Sequence, residues 1–173
     1  SKTLYQNCSD NVVVFSEKML GIKPYSWQVL FLNKLQRSLS DNSLNREFVV
    51  MTSRQIGKST MVAIFSLWAT VFNKVPYGVG NNTSVIITSA SEVQAKKLLY
   101  EMKRILRLGD KHIENTYKDE EGKPLLGDSF FTDLLDDKEP NNTTTITLVS
   151  HKQKHGEVIL KDSLSGSTIK SYP

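Results

Sequence analysis

The chain has a single cysteine, Cys8, so no internal disulfide can form, and a reducing, cytoplasmic setting is the natural expectation. No apolar run approaches the ~18 residues of a membrane-spanning helix, which sets aside an integral membrane role. The first residues, "SKTLYQNCSDN", lack the basic-then-apolar order of a secretory signal. A dominant charge is also lacking. Lys and Arg number 22 against 18 Asp and Glu, and the formal net charge of +4 permits contact with nucleic acid without arguing for it. Internal repeats are absent. His151 and His155 have the spacing of one helix face, but no acid lies between them and the stretch reads as β or loop, so no zinc site is expected.

What remains describes a globular domain. A length of 173 residues is enough for one hydrophobic core, and 39% apolar with 23% charged residues suits a soluble protein. The charge is unevenly spread. Lys96, Lys97, Lys103, Arg104, Arg107 and Lys111 crowd one stretch, followed by a run rich in Asp and Glu from Glu114 to Glu139. The plain reading is a solvated helix face, which could also track a DNA backbone, and then a polar excursion. Within a single domain spanning 1–173, residues 117–142 are expected to be an insertion or lid.

Periodicity gives the elements. Trp27, Leu30, Phe31 and Leu35 follow helical spacing after an N-cap at Ser26. "EFVVM" (47–51) reads as a strand buried on both faces. Met61, Ile64, Phe65, Trp68, Val71 and Phe72 form the core stripe of a helix opening at Ser59, and 73–83 is a connection. "SVIITSA" (84–90) reads as a second buried strand, and Ser91 with Gln94 as a capping box. The helix it opens presents Ala95, Leu98, Leu99, Met102, Ile105 and Leu106 to the core and stops at Gly109. Alternating strands and helices imply an α/β fold: a parallel sheet flanked by helices, with right-handed crossovers. "TTTITLVSH" and "EVILKDSLSGSTIKSYP" add β-structure at the C-terminal end, with a turn at Ser163–Gly166.

Between the first strand and its helix lies "MTSRQIGKSTMVA" (51–63). A phosphate loop works through backbone amides at a helix N-terminus plus one lysine. Gly57 would let the backbone approach a ligand, Lys58 would reach the β- and γ-phosphates, and the Ser59 hydroxyl would coordinate Mg²⁺, with Thr60 behind it. Thr52 stands where the generic pattern has its first glycine. That glycine serves the turn more than the ligand.

The segment "SRQIGKST" followed by "MVAIFSLWATVFNK" resembles the deviant phosphate-loop segment of the large terminase subunit of tailed bacteriophages, the ATP-driven motor that packs DNA into capsids. In that family Ser-Arg-Gln commonly precedes the final Gly-Lys-Ser/Thr and the first glycine is missing. "YSWQVLFL" resembles the family's adenine motif, with Trp27 and Gln28 in the matching places. An aromatic ring can stack on a base while a carboxamide pairs with its edge. "VIITSASEVQAKKLL" resembles the motor's second strand and helix, and "VILKDSLSGSTIKSYP" the β-hairpin ahead of its coupling segment. The resemblance implies a P-loop NTPase-like parallel sheet and ATP with Mg²⁺ as ligands. It implies a loop formed by Ser53, Arg54, Gln55, Ile56, Gly57, Lys58, Ser59 and Thr60, with Arg54 and Lys58 acting on the γ-phosphate. It further implies an oligomeric ring around double-stranded DNA, docked on a procapsid portal and served by a small terminase subunit.

A Walker B segment, an apolar run ending in Asp-Glu, is missing. "VILKD" places Lys161 before Asp162 and Ser163 where Glu is wanted, and "TDLLDDKE" has too short an apolar run. In the family that segment follows soon after the hairpin. The expectation is therefore an N-terminal portion of a longer motor, binding nucleotide weakly and hydrolysing it little on its own. Two alternatives stand beside it: a helicase-like P-loop ATPase, and a non-catalytic DNA- or protein-interaction module with a remnant loop.

Overall fold

The computed structural model describes residues 2–41, 47–51, 53, 57–75, 82–127, 129–135, 145–154 and 157–172. Two short helices, α1 (Leu4–Asp10) and α2 (Val12–Lys18), open the chain. Thr3 and Gln6 cap α1 reciprocally, and the Asn11 side chain accepts from Val13 N and Val14 N at the start of α2. Helix α3 (Ser26–Ser40) follows, then α4 (Lys58–Val71), β1 (Ser84–Thr88) and α5 (Glu92–Thr116). A 3-10 turn at Thr132–Leu134 leads to β2 (Thr145–Lys154) and β3 (Glu157–Tyr172). Among the described residues no helix is long and apolar enough to cross a membrane.

The fold is α/β, but its sheet is small and mixed. The three strands lie in the order β1-β3-β2. β1 pairs parallel with β3, placing Val85 beside Ile169, while β2 and β3 form an antiparallel hairpin. Helices α4 and α5 pack against this sheet. Val85 and Ile87 turn inward, Ile146, Leu148 and Ile169 are buried beside them, and Ile86 on the other face is 65% exposed. β1 is therefore half-covered, not buried on both faces as its apolar run suggests.

The expected strand at 47–51 is not a strand. Phe48 packs edge-on to Phe31 of α3, with ring centroids 5.9 Å apart, while Val49 and Met51 are 90% and 92% exposed. Apolar composition suits a central parallel strand, but such a strand also needs backbone partners at both edges. The described strands offer none to this segment.

Two further expectations fail for physical reasons. α5 does not stop at Gly109 but runs on to Thr116. Gly109 is a notch: a Cβ there would lie 2.7 Å from the ring of Phe131, which is 1% exposed. The neighbouring Asp110 takes up Phe131 N, Thr132 N and Thr132 Oγ1, fastening the 3-10 turn to α5. The hairpin does not reverse at Ser163–Gly166, which lies inside β3; the pairing of β2 with β3 extends to Lys154–Glu157. Between the pairs Val149–Ser165 and His151–Leu160 β2 advances two residues and β3 five, and between Thr147–Thr168 and Val149–Ser165 two and three, so Ser163–Gly166 spans two register shifts inside the strand.

α4 is the hub of the core. Met61, Ala63, Ile64, Ser66, Leu67, Trp68, Ala69, Thr70 and Val71 are all buried, and α2, α3, α5, β1 and β3 pack around it. The buried Thr70 hydroxyl is accommodated because its Oγ1 donates to Ser66 O at 2.9 Å. Trp68 Nε1 donates to Cys8 O at 2.9 Å, tying α4 to α1. Gln36 of α3 ties in the α1–α2 junction, accepting from Val12 N and donating to Asp10 O. Edge-to-face rings run Tyr5–Phe72–Phe15–Phe131 through the middle.

Two outcomes follow from this packing. Gly109→Ala gains helix propensity but drives a Cβ into an immobilised ring, so a net loss of about 1–2 kcal/mol is expected by chemical denaturation. Burial pushes the Cys8 thiol up from 9.0 to about 12, against a smaller opposing pull from Lys18, and pushes Tyr5 up from 10.0 to about 12. Both groups favour the neutral form in the fold. Their contribution is complete below pH 9 and is lost as pH climbs toward 12. Melting temperatures across that window should fall less steeply for Cys8→Ala than for the parent chain.

Candidate functional site

The start of α4 carries the candidate site. Gly57 is its N-cap and adopts φ 87°, in the left-handed region where a side chain is strained. Its carbonyl accepts the first helical bond, from Met61 N at 3.1 Å. Lys58, Ser59 and Thr60 are the first three helical residues, whose N–H groups have no acceptor within the helix. Lys58 and Ser59 are exposed and Thr60 is half-buried. Backbone donors, an ammonium and a hydroxyl thus gather at one helix end, where the macrodipole also favours an anion.

The second component comes from α3. Gln28 is only 4% exposed, and both ends of its carboxamide are engaged. Oε1 accepts from Tyr25 N at 2.8 Å, which caps the start of α3. Nε2 donates to the Gly57 carbonyl at 2.7 Å. The approach is so close that a Cβ on Gly57 would lie 2.5 Å from Nε2. Gly57 is therefore constrained twice, by its backbone angle and by the glutamine held against it. Trp27, next along, is half-buried and packs against the core.

The structure thus joins Gln28 to Gly57 and places Lys58, Ser59 and Thr60 directly beyond them. Ser53 is exposed at the other side of the loop. Arg54, Gln55 and Ile56, together with Thr52, lie outside the described residues. No cluster of three His, Cys, Asp or Glu fit to hold a metal occurs among the described residues. Two surface hollows are separate from the loop: one bordered by Lys2, Asp10, Lys18 and Tyr117, the other by Glu17, Lys23 and His112.

Reading the sequence alone misses the clasp between Gln28 and Gly57. One signal for half of it is present, since Gln28 occupies the third helical position of α3, where a glutamine reaches back to the N-cap amide. The bond to Gly57 joins residues 29 apart and has no local signature. Comparison of the chain with protein-family models, with curated proteins and with solved structures finds no match in any of the three.

Gln28→Ala should cost about 1–3 kcal/mol, because two part-buried hydrogen bonds are lost together, the Tyr25 amide losing its acceptor and the Gly57 carbonyl keeping only Met61 N. Hydrogen exchange at the Met61 amide, which is bonded to the Gly57 carbonyl, should accelerate in the same variant. An unchanged stability and exchange pattern would mean that the clasp does not hold the loop.

Proposed function

We propose that the Gly57–Thr60 helix start is the phosphate-binding part of an ATP site, and that the chain is the ATP-binding portion of a DNA-packaging motor of the terminase large-subunit type. The observation that carries the nucleotide reading is the left-handed Gly57 N-cap with Lys58 and Ser59 exposed immediately beyond it. An anion at that end meets unpaired N–H groups, and Lys58 adds a mobile positive charge for the β- and γ-phosphates.

The residues present fit Mg²⁺ held jointly with a nucleotide. Ser59 supplies a single hydroxyl ligand, which suits an ion that takes most of its oxygens from phosphate and water. Bound with ATP, Mg²⁺ would neutralise charge between the β- and γ-phosphates. Arg54 is the proposed partner of the γ-phosphate, since a guanidinium can offset charge developing on the transferred group. Ser53, Gln55 and Ile56 would complete the loop's backbone cradle, with Thr60 supporting Ser59.

Trp27 and Gln28 are the proposed adenine contacts. The Gln28 amide keeps one N–H and one lone pair beyond its two internal bonds, the pair an adenine edge requires. At 4% exposure, a base reaches them only if the start of α3 opens. The wider reading rests on the resemblance of residues 53–60, 25–28, 84–99 and the hairpin. It covers a P-loop NTPase-like core, coupling of hydrolysis to translocation of double-stranded DNA, and a ring docked on a portal.

Titration calorimetry of the chain with MgATP, MgADP and AMP tests the nucleotide site. The expected result is weak binding of ATP and ADP, none of AMP, and a loss of about 10- to 100-fold in Lys58→Ala, the worth of one charge-assisted hydrogen bond. Absence of binding at millimolar MgATP would exclude the nucleotide reading. Little turnover is expected. Brisk hydrolysis that depends on Lys58 would place the catalytic acid within these residues.

A further inference from the structure

Helix α5 is 25 residues long, and the side facing the core carries Ala95, Leu99, Met102, Leu106, Gly109 and Ile113. With 3.6 residues per turn, Val93, Lys97, Tyr100, Arg104, Arg107 and Lys111 fall within an arc of about 80° on the opposite side. Lys97, Arg104, Arg107 and Lys111 are exposed, and Tyr100 between them is 65% exposed. From Lys97 to Lys111 the stripe extends about 21 Å along a single rigid helix.

The positive charge on this face is only partly neutralised. Glu92 pairs with Lys96 and Glu101 with Arg104. No ion pair among the described residues includes Lys97, Arg107 or Lys111. Asp110 supplies no neutralisation, because its carboxylate is buried and faces Phe131 and Thr132. Instead, Lys103, Arg107 and Lys111 form successive i,i+4 pairs of like charge, each of which weakens a helix. Lys103 registers the crowding: burial first, and Arg107 second, lower its pKa. Arg107 lies 6.0 Å from the Tyr100 ring centroid, so the aromatic and the guanidinium sit together at the middle of the stripe.

A row of cations that destabilises its own helix is relieved by a partner with repeating negative charge. A bilayer is a poor match, since the apolar side of α5 is committed to the core and cannot insert. Lys, Arg and Tyr hydroxyls are, by contrast, the donors that position a phosphodiester backbone. We propose that the outer face of α5 is a docking surface for a nucleic-acid backbone, with Lys97, Arg107 and Lys111 neutralising phosphates around Tyr100. This rests on charge and placement alone and does not require a nucleotide at Lys58.

Fluorescence anisotropy tests it with the whole chain, without ATP, against a labelled duplex and a labelled single strand of about 20 nucleotides, between about 50 and 200 mM salt. Binding of either should depend steeply on salt. Lys97→Gln/Arg107→Gln/Lys111→Gln should weaken it at least tenfold and flatten the duplex log–log slope by about 2.7, roughly 0.9 for each phosphate left without its cation. Lys34→Gln/Lys118→Gln/Lys123→Gln removes the same charge from other exposed positions and should stay within about twofold of the parent. The relative affinity for duplex and single strand then identifies which backbone the surface takes. Equal losses in the two triple variants would reduce the effect to net charge and overturn the proposal. So would an absence of binding at the lowest salt, or displacement of the duplex by polyglutamate at matched charge, which would point to an acidic protein partner. All six substituted residues are exposed, and circular dichroism verifies that the variants fold.

Discussion

Burial of α4 is the constraint from which the rest of the architecture follows. A helix apolar on nearly every side cannot stand at a surface. The chain surrounds it with α2, α3, α5 and the inner face of the sheet. Two polar groups it carries inward are satisfied, Thr70 Oγ1 by the turn before it and Trp68 Nε1 by the Cys8 carbonyl. Apart from Val62, it emerges at its first turn, at Lys58 and Ser59. The same packing that makes α4 the centre of the core leaves its N-terminal dipole end as the part presented to solvent.

The far end of α5 shows a comparable economy. Gly109 lets the Phe131 ring approach the helix backbone, and Asp110 beside it holds the chain segment from which that ring projects. Tyr117, just past the helix, donates to Lys18 O at 2.9 Å and so reaches the N-terminal helices. The acidic stretch is therefore anchored at its start and around Phe131. In between, Asp119 closes a tight turn by accepting from Glu121 N and Lys123 N.

What can be read from the sequence is whatever is encoded locally. The helix α3, the stripes of α4 and α5, the Ser91 cap and the β-character of the C-terminal third all rest on periodicity or nearest-neighbour chemistry, and each is found in the structure, except that α3 buries Leu32 and leaves Leu30 of its expected stripe 64% exposed. The errors come where the outcome depends on a distant partner. "EFVVM" has strand composition, but composition cannot say whether two edges await it. Gly109 has the identity of a helix stop, but Phe131, 22 residues on, uses it as a gap. Ser163–Gly166 has turn chemistry, but the pairing with β2 sets it across two register shifts inside a strand. The helices α1 and α2 escape a reading by periodicity, because seven residues each is too short for a convincing stripe. At the candidate site, Gly57, Lys58, Ser59 and Thr60 are legible as a motif. The engagement of Gln28 with Gly57 is not.

Gln28 and Gln36 sit on one rigid helix, eight residues and about 12 Å apart. Each spends both ends of its carboxamide outside the regular helical ladder. Gln28 grips the loop carbonyl of Gly57, and Gln36 grips the α1–α2 junction at Val12 N and Asp10 O. α3 is accordingly a lever with a hydrogen bond at each end. A displacement of the Gly57 carbonyl either breaks the Gln28 bond or is transmitted along α3 to the first two helices. The mechanical reach of the Gly57–Thr60 turn therefore extends well beyond the residues that form it, to the opposite end of the α3 rod.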